Sequence, residues 1–424
     1  MGAVRWLSTL SKKGKQLIYK LGDLNIEGKG EFPNKWHIPQ VIPLKEWIDR
    51  TRNIDENEVS RHKNWIYLLI PPSSLHNAHK LYTQELEFTH AAVGWAHALV
   101  AFKDRQSNSS QIFSWGLNTS GQLGFDVTTE NHGLVQNLPS SFLVNSLHCG
   151  RIHSLVSLKR SNGRSELYAF GDCMYGQLGI GKSKNRIEEA EKDIVFEPIP
   201  RCLDLKGNVK QVACGLDHSI ILTDQNILYA MGWGADGQLG IGSTSDKDVP
   251  TIIPLLSGKP VKKIASSTDF TFALLDNGEL WSWGNSEYGQ CMTGKKVEKI
   301  LEPVNILTNN EIIDIAAGGP FGLYLTGDGE VYSCGYGSIG FGKDVVEILT
   351  PTRIPSLHNI VEIWSTSDYA LAKSDLGKLY IWGLGFYGDN LYNPTKVEFQ
   401  QKDLVIEKVA CGIRGAIIIA NETT

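Results

Sequence analysis

The stretch GWGADGQLG, Gly232–Gly240, places five of its nine residues at glycine or alanine and closes on Gln-Leu-Gly. A phosphate-cradling loop needs Gly-x-x-x-x-Gly-Lys-Ser/Thr between a strand and a helix, so that backbone N–H groups and a lysine meet the phosphates. Here Gln238 and Leu239 stand where the lysine and hydroxyl would be. The stretch instead recurs, as SWGLNTSGQLG at 114–124, AFGDCMYGQLG at 169–179, AMGWGADGQLG at 230–240 and SWGNSEYGQCM at 282–292. Two weaker copies follow, SCGYGSIGFGK at 333–343 and IWGLGFYGDNL at 381–391. In all six a first glycine (Gly116, Gly171, Gly232, Gly284, Gly335, Gly383) precedes a second by five residues, and successive first glycines lie 55, 61, 52, 51 and 48 apart. A period near 50 belongs to a propeller array rather than a helical solenoid. No copy carries the Lys-Ser/Thr pair, so the glycines are read as turn residues.

A second element lies upstream of each copy: VGWAHAL at 93, CGRIHSL at 149, CGLDHSI at 214, SSTDFTF at 266, AGGPFGL at 317 and STSDYAL at 365, with a seventh, CGIRGAI, at 411. Between the paired elements run strand, polar turn and strand, as in HSIILTDQNILYAMG. Each unit is too small to close a core alone, so neighbours must stack. Only 12 residues follow Gly412, too few for that unit's own second strand. The apolar run WIYLLI at 65–70 fits the pattern of the missing strand. The expected fold is all-β, a seven-bladed β-propeller spanning 64–424 and closed by pairing N- and C-terminal strands, which removes exposed sheet edges.

The paired elements, Cys-Gly-x-x-His-Ser and Leu-Tyr-x-Trp-Gly followed by Gly-Gln-Leu-Gly, resemble the repeat of the regulator of chromosome condensation family from about residue 64 to the end. Together with a basic leader, SCGYGSIGFGK, GWGADGQLG and WGNSEYGQ resemble its mitochondrial exchange-factor-like members. The resemblance implies a seven-bladed propeller that acts on a small GTPase through loops on one face. It also implies roles in organelle fusion, or in assembly of the large mitochondrial ribosomal subunit with its ribosomal RNA. Two functions follow: exchange of guanine nucleotide on a mitochondrial GTPase, or a scaffold for ribosomal RNA and assembly factors. No cofactor is expected. The chain departs from a uniform repeat in that Phe270, Phe321 and Tyr369 replace the histidine in three units.

The first 22 residues carry Arg5, Lys12, Lys13, Lys15 and Lys20 with no acid before Asp23. On a helical wheel Trp6, Leu7, Leu10, Leu17, Ile18 and Leu21 share one arc and the basic residues lie outside it, which is the composition of an organelle transit peptide. Residues 1–22 are therefore expected to be a mitochondrial targeting segment and 23–63 a leader, placing the protein in the matrix or at the inner membrane. No run approaches 18 apolar residues, so contact with the membrane would be peripheral. Seven cysteines without a Cys-x-x-Cys fit reduced thiols. A net charge of −5 gives no bulk electrostatic case for nucleic acid.

Chemistry-bearing motifs are few. No Gly-x-Ser-x-Gly elbow occurs, so nucleophilic catalysis has no sequence support. His97, His153 and His218 recur at one repeat position and are expected to satisfy local backbone groups rather than bind metal. Trp115, Trp233 and Trp283 lie in or beside the repeat signature and are expected in the core. The interval from first glycine to the next upstream glycine is 29 to 35 residues except from Gly171 to Gly215, where it is 44. The excess falls in GKSKNRIEEAEKDIVFEPIP, residues 181–200, a candidate partner-binding loop with Arg186, Glu188, Glu189 and Phe196. Arg151 and Asp217, in the turns of CGRIHS and CGLDHS, complete the candidate site.

Overall fold

A computed structural model describes residues 16–21, 86–104, 109–127, 132–184, 195–386, 389–397, 404–412 and 415–422. Their strands form seven sheets, six of them four-stranded and one three-stranded. Blade 1 comprises β2 (Leu86–Val93), β3 (His97–Asp104), β4 (Ser109–Gly116) and β5 (His132–Leu134). Blade 2 comprises β6 (Leu143–Cys149), β7 (His153–Lys159), β8 (Ser165–Asp172) and β9 (Phe196–Cys202). Blade 3 holds β10 (Val209–Cys214), β11 (His218–Thr223), β12 (Leu228–Gly232) and β13 (Lys247–Ile252). Blade 4 holds β14 (Val261–Ser266), β15 (Phe270–Leu275), β16 (Leu280–Ser286) and β17 (Val297–Ile306). Blade 5 runs through β18 (Ile312–Ala317), β19 (Phe321–Thr326), β20 (Val331–Tyr336) and β21 (Glu347–Arg353). Blade 6 runs through β22 (Ile360–Ser365), β23 (Tyr369–Ser374), β24 (Leu379–Phe386) and β25 (Asp389–Lys396). Blade 7 joins β26 (Leu404–Gly412) and β27 (Gly415–Glu422) to β1 (Gln16–Leu21) in the order β1-β27-β26.

The burial of each strand follows from its place. Second strands are buried at nearly every residue, as in HSIILT, FTFALL and FGLYLT, because neighbouring blades cover both faces of the sheet. Outer strands carry prolines, which an edge tolerates because it has N–H groups to spare. Seven hydrophobic clusters each fill one gap between adjacent blades, the last packing Ile417 and Ile419 of blade 7 against Phe88, Val93, Phe113 and Trp115 of blade 1. The innermost strands touch in sequence around the circle and β26 returns to β2, so the ring closes. They surround a central cavity of about 270 Å³ lined from all seven blades.

The opening motif has two jobs. Gly232 has φ +106, and a Cβ there would lie 2.3 Å from the Asp217 carbonyl oxygen, so only glycine lets the third strand end beside the preceding turn. Gln238 then accepts the Asp236 N–H at its Oε1 (2.9 Å), and its backbone carbonyl accepts the Trp283 indole of the next blade (2.9 Å). Gln122, Gln177 and Gln290 brace their turns in the same way.

The histidines do not satisfy local backbone groups as expected; their bonds run to side chains of the next blade. His97 Nε2 pairs with Ser154 Oγ (3.0 Å), His153 with Ser219 (3.0 Å) and His218 with Ser266 (2.8 Å), each across a blade boundary. Ser154 and Ser219 in turn donate to the backbone carbonyls of Gln122 and Gln177. Gly150 is needed beneath the ring, since a Cβ there would lie 2.0 Å from His153 Cε1. In blade 6 Tyr369 replaces the imidazole and donates to the Gly412 carbonyl of blade 7 (2.9 Å).

The closing strand also departs from expectation. The N-terminal strand that joins blade 7 is Gln16–Leu21; the run at 65–70 lies outside the described residues. Leu21 stands opposite Ala416 as Met231 stands opposite Ser219, so β1 occupies the third-strand register of every other blade. Residues 16–21 are therefore a strand of the propeller and not the end of an amphipathic helix.

Two measurements test the latches. Ser219→Ala should cost about 1–3 kcal/mol in urea unfolding with unchanged slope, because it orphans the buried His153 Nε2. Trp283→Ala, which also opens a core gap, should cost about 3–5 kcal/mol.

Candidate partner-binding face

The turn after each first strand and the connection after each third strand emerge on the same end of the propeller, because those strands run parallel in a four-stranded antiparallel sheet. The turns are tied into a collar. Trp95 N–H donates to the Arg151 carbonyl, Arg151 N–H to Leu216, Leu216 N–H to Thr268, and Gly319 N–H to Ser367. Arg151 and Asp217, 66 residues apart, meet on this collar as a two-pronged ion pair: Nε donates to Oδ1 (3.1 Å) and the second prong reaches Oδ2. Guanidinium and carboxylate match in planar geometry, which fixes the two turns against each other.

Carboxyls surround this pair. Burial, reinforced by the neighbouring Asp217 charge, pushes Asp172 up to about 6, while Gln177 Nε2 donates to it at 2.6 Å. Asp269 is pushed to about 6 by burial and then by Asp236 and Asp217. Asp217 is raised by burial, with the Arg151 guanidinium pulling it back. The rim therefore gains negative charge as pH rises through 6.

Aromatic rings flank the acids. Tyr175 of blade 2 meets Trp233 of blade 3 edge to face at 4.4 Å, and Lys184 Nζ sits 4.1 Å from the Tyr175 ring centroid. Two blades on, Tyr288 packs against Tyr336 at 5.3 Å; both rings and Met174 are about 40% exposed, unlike the buried Trp115 and Trp283. Trp233 is half-buried at the rim, so of the three tryptophans it alone departs from its expected place in the core.

The long connection of blade 2 starts from a fixed stem. Gly181 N–H donates to the Asp248 carbonyl of blade 3 (2.8 Å), Ser183 Oγ to Asp248 Oδ2 (3.3 Å), and Lys182 Nζ to the Phe196 carbonyl (2.7 Å). Cys173 N–H closes the other side on Val195 (2.9 Å). Phe196 is half-buried at the start of β9, opposite Asp172. Arg186, Glu188 and Glu189 lie outside the described residues. The structure thus unites Arg151 and Asp217 and adds Asp172, Asp269, Tyr175, Trp233, Tyr288 and Tyr336, which sequence reading had not selected as a site. A signal existed: the residue after the first glycine varies (Leu117, Asp172, Trp233, Asn285, Tyr336, Leu384) while the motif around it recurs.

The latch histidines are electrically neutral. Burial lowers His97, His153 and His218 to about 3, and lowers His90 and His148, the latter lining the central cavity, to about 4. Among the described residues no group of three or more His, Cys, Asp or Glu side chains is arranged to hold a metal ion. Between about pH 3 and 6.5 the unfolded chain binds more protons at these histidines than the fold does, so their contribution to stability falls as pH drops below about 6.5. Asp172 and Asp269 act oppositely between about pH 4 and 6, where the fold holds the extra proton. With five histidines against two carboxyls, urea midpoints should fall from pH 7 to 5. His153→Phe, the residue type of Phe270 and Phe321, should shrink that fall; an unchanged profile would contradict the assignment.

Comparison with known proteins places this geometry. The regulator of chromosome condensation (RCC1) repeat profile matches residues 165–222, 225–274 and 277–325, and a second profile of that repeat matches 209–238 and 261–290. The human RCC1-like G exchanging factor-like protein is 32% identical over 264 residues, 58% of this chain and 54% of that protein. The Arabidopsis thaliana ultraviolet-B receptor UVR8 is 29% identical over 53% of this chain and 49% of its own. The matched part spans about half the length of these relatives. Among solved structures, human WBSCR16 superposes with TM-score 0.70 at 29% identity, covering 80% of this chain and 87% of that one. Saccharomyces cerevisiae Prp20p gives 0.71 at 23% identity over 98% and 93%, a likeness of fold. The chain is a β-propeller whose residues 165–325 carry regulator of chromosome condensation repeats.

Proposed function

We propose that the protein promotes guanine-nucleotide exchange on a small GTPase, and that the collar face is where the GTPase docks. The observation that carries this reading is the fixed stem of the 185–194 segment beside exposed tyrosines and largely buried carboxyls on the rim. A rigid scaffold that anchors a long connection suits an exchange factor, which lowers nucleotide affinity without making or breaking a covalent bond. The similarity to the human RCC1-like G exchanging factor-like protein supports it. Exchange requires tighter binding to the nucleotide-free GTPase than to the loaded one. Exposed Tyr288, Tyr336 and Met174 supply the apolar anchors.

The basic, acid-free start supports a mitochondrial GTPase as the target. Because β1 begins at Gln16, a removable targeting segment compatible with blade 7 ends before that residue. Scaffolding of ribosomal RNA is the weaker reading on this face, since clustered carboxyls repel phosphates.

Release of a fluorescent guanine nucleotide from candidate mitochondrial GTPases is the test. The protein at micromolar concentration should accelerate release. Deleting 185–194 should reduce the acceleration at least about tenfold, and Tyr288→Ala with Tyr336→Ala should weaken binding by about 1–3 kcal/mol. No acceleration of any candidate GTPase would refute exchange activity.

A further inference from the structure

Tyr175 and Trp233 meet across the gap between blades 2 and 3, and the places they hold recur around the collar. Tyr175 stands four residues after the first glycine of its blade, and Trp233 stands one residue after the next first glycine. The same two positions bring Tyr288 against Tyr336 between blades 4 and 5, and hold Asp236 and Asn285 between blades 3 and 4. What sets Tyr175 and Trp233 apart is a cation. Lys184 Nζ lies 4.1 Å from the centroid of the tyrosine ring and 5.5 Å from that of the indole, within the range over which a ring face attracts an ammonium. Among the described residues no lysine or arginine lies over Tyr288 or Tyr336, and Lys184 forms no ion pair with a carboxylate. We propose that Tyr175 and Trp233 form a cation slot, filled by the chain's own Lys184 in the free protein and by a lysine or arginine side chain of the docking GTPase in the complex. The occupant rests on the reading of the collar as the GTPase-binding face; the slot itself does not.

The rings are fixed and the lysine head is not. Trp233 N–H donates to the Asp217 carbonyl (2.8 Å) and Tyr175 N–H to Gln177 Oε1 (3.0 Å). At the next residue, Gly176, a Cβ would lie 2.4 Å from Asp248 Cα, so the tyrosine turn is pressed against blade 3. Lys184 N–H donates to the Met174 carbonyl (2.9 Å), which holds its backbone but leaves the flexible side chain free to swing out. All three residues are half-buried, so the rings are reachable from solvent.

Carboxylates back the slot. Asp246 Oδ1 accepts the N–H of Gly234, the residue after Trp233 (3.1 Å). Tyr175 is raised by burial and then by Asp217, against the pull of Arg151, with Asp172 and Asp246 adding to the rise. Ring faces in such surroundings suit a cation and disfavour a phosphate or carboxylate. Replacing one basic side chain by another keeps both the charge and the ring contact, so the exchange is close to balanced and the rest of the interface decides it.

The slot is tested without a GTPase. In full-length protein labelled with fluorotryptophan, the fluorine resonance of Trp233 is identified by its loss in Trp233→Phe. Nα-acetyl-lysine methylamide and Nα-acetyl-arginine methylamide should shift that resonance saturably, and the uncharged norleucine analogue should not. Lys184→Met, which keeps the stem and removes the competing ammonium, should lower the half-saturation concentration at least about threefold, whereas Tyr175→Leu should raise it about 3- to 30-fold. An equal response to the norleucine analogue, no saturable shift in Lys184→Met, or weaker cation binding in Lys184→Met than in the unmodified chain would each overturn the slot. The occupant is then tested on a GTPase whose nucleotide release the protein accelerates. There Lys184→Met should tighten the complex and Trp233→Leu should weaken it about 3- to 30-fold. A complex weakened by Lys184→Met would make Lys184 itself the contact and overturn the displacement. A protein that accelerates no GTPase removes the occupant together with the exchange reading, while the titration still decides the slot.

Discussion

A four-stranded blade has two faces and no core of its own, so the structure depends on what joins each blade to the next. Apolar burial fills the gaps, one cluster per interface, but burial alone is not directional. Direction comes from hydrogen bonds that cross the gaps at fixed repeat positions. His97, His153 and His218 reach the hydroxyl of the following blade, and Trp283 and Trp382 reach back to the preceding one. A buried donor or acceptor left without its partner costs more than a made bond contributes, so these pairs specify the stacking geometry. The same positions place six of the turns in a collar at one end of the ring.

Function follows from that placement. A collar of short turns locked by backbone bonds cannot rearrange turn by turn, so the variable residues mounted on it are held in register. The Arg151–Asp217 pair, the carboxyls of Asp172 and Asp269, and the ring pairs Tyr175–Trp233 and Tyr288–Tyr336 all sit on loops whose ends are anchored in strands. The rim is strongly patterned, acids beside exposed rings, while the chain as a whole carries only a small net charge. Such a surface selects a partner by local complementarity rather than by bulk attraction.

Much of this architecture was legible because the repeat constrains glycines, and glycine constraints are backbone constraints. The period near 50, the strand pairs and the absence of a nucleotide loop all followed from GWGADGQLG and its copies. Three things were hidden. WIYLLI is the more apolar run, whereas QLIYKL carries Lys20 in a basic stretch that reads as one face of a helix; pairing register, which single-sequence periodicity does not contain, selects the latter. Trp233 follows its glycine whereas Trp283 precedes its own, and that two-residue difference moves an indole from the core to the rim. The meeting of Arg151 with Asp217 was likewise invisible, because it links equivalent turns of adjacent blades across 66 residues.

The account turns on one end of the propeller being the working face. Amide hydrogen exchange of the full-length protein, alone and with a nucleotide-free mitochondrial GTPase whose nucleotide release it accelerates, tests this most directly. The account predicts added protection at the turns 150–152, 215–217 and 267–269 and at the connections 172–177 and 285–289. Protection confined to the opposite end, at the hairpin turns 224–227, 276–279 and 375–378, would contradict it.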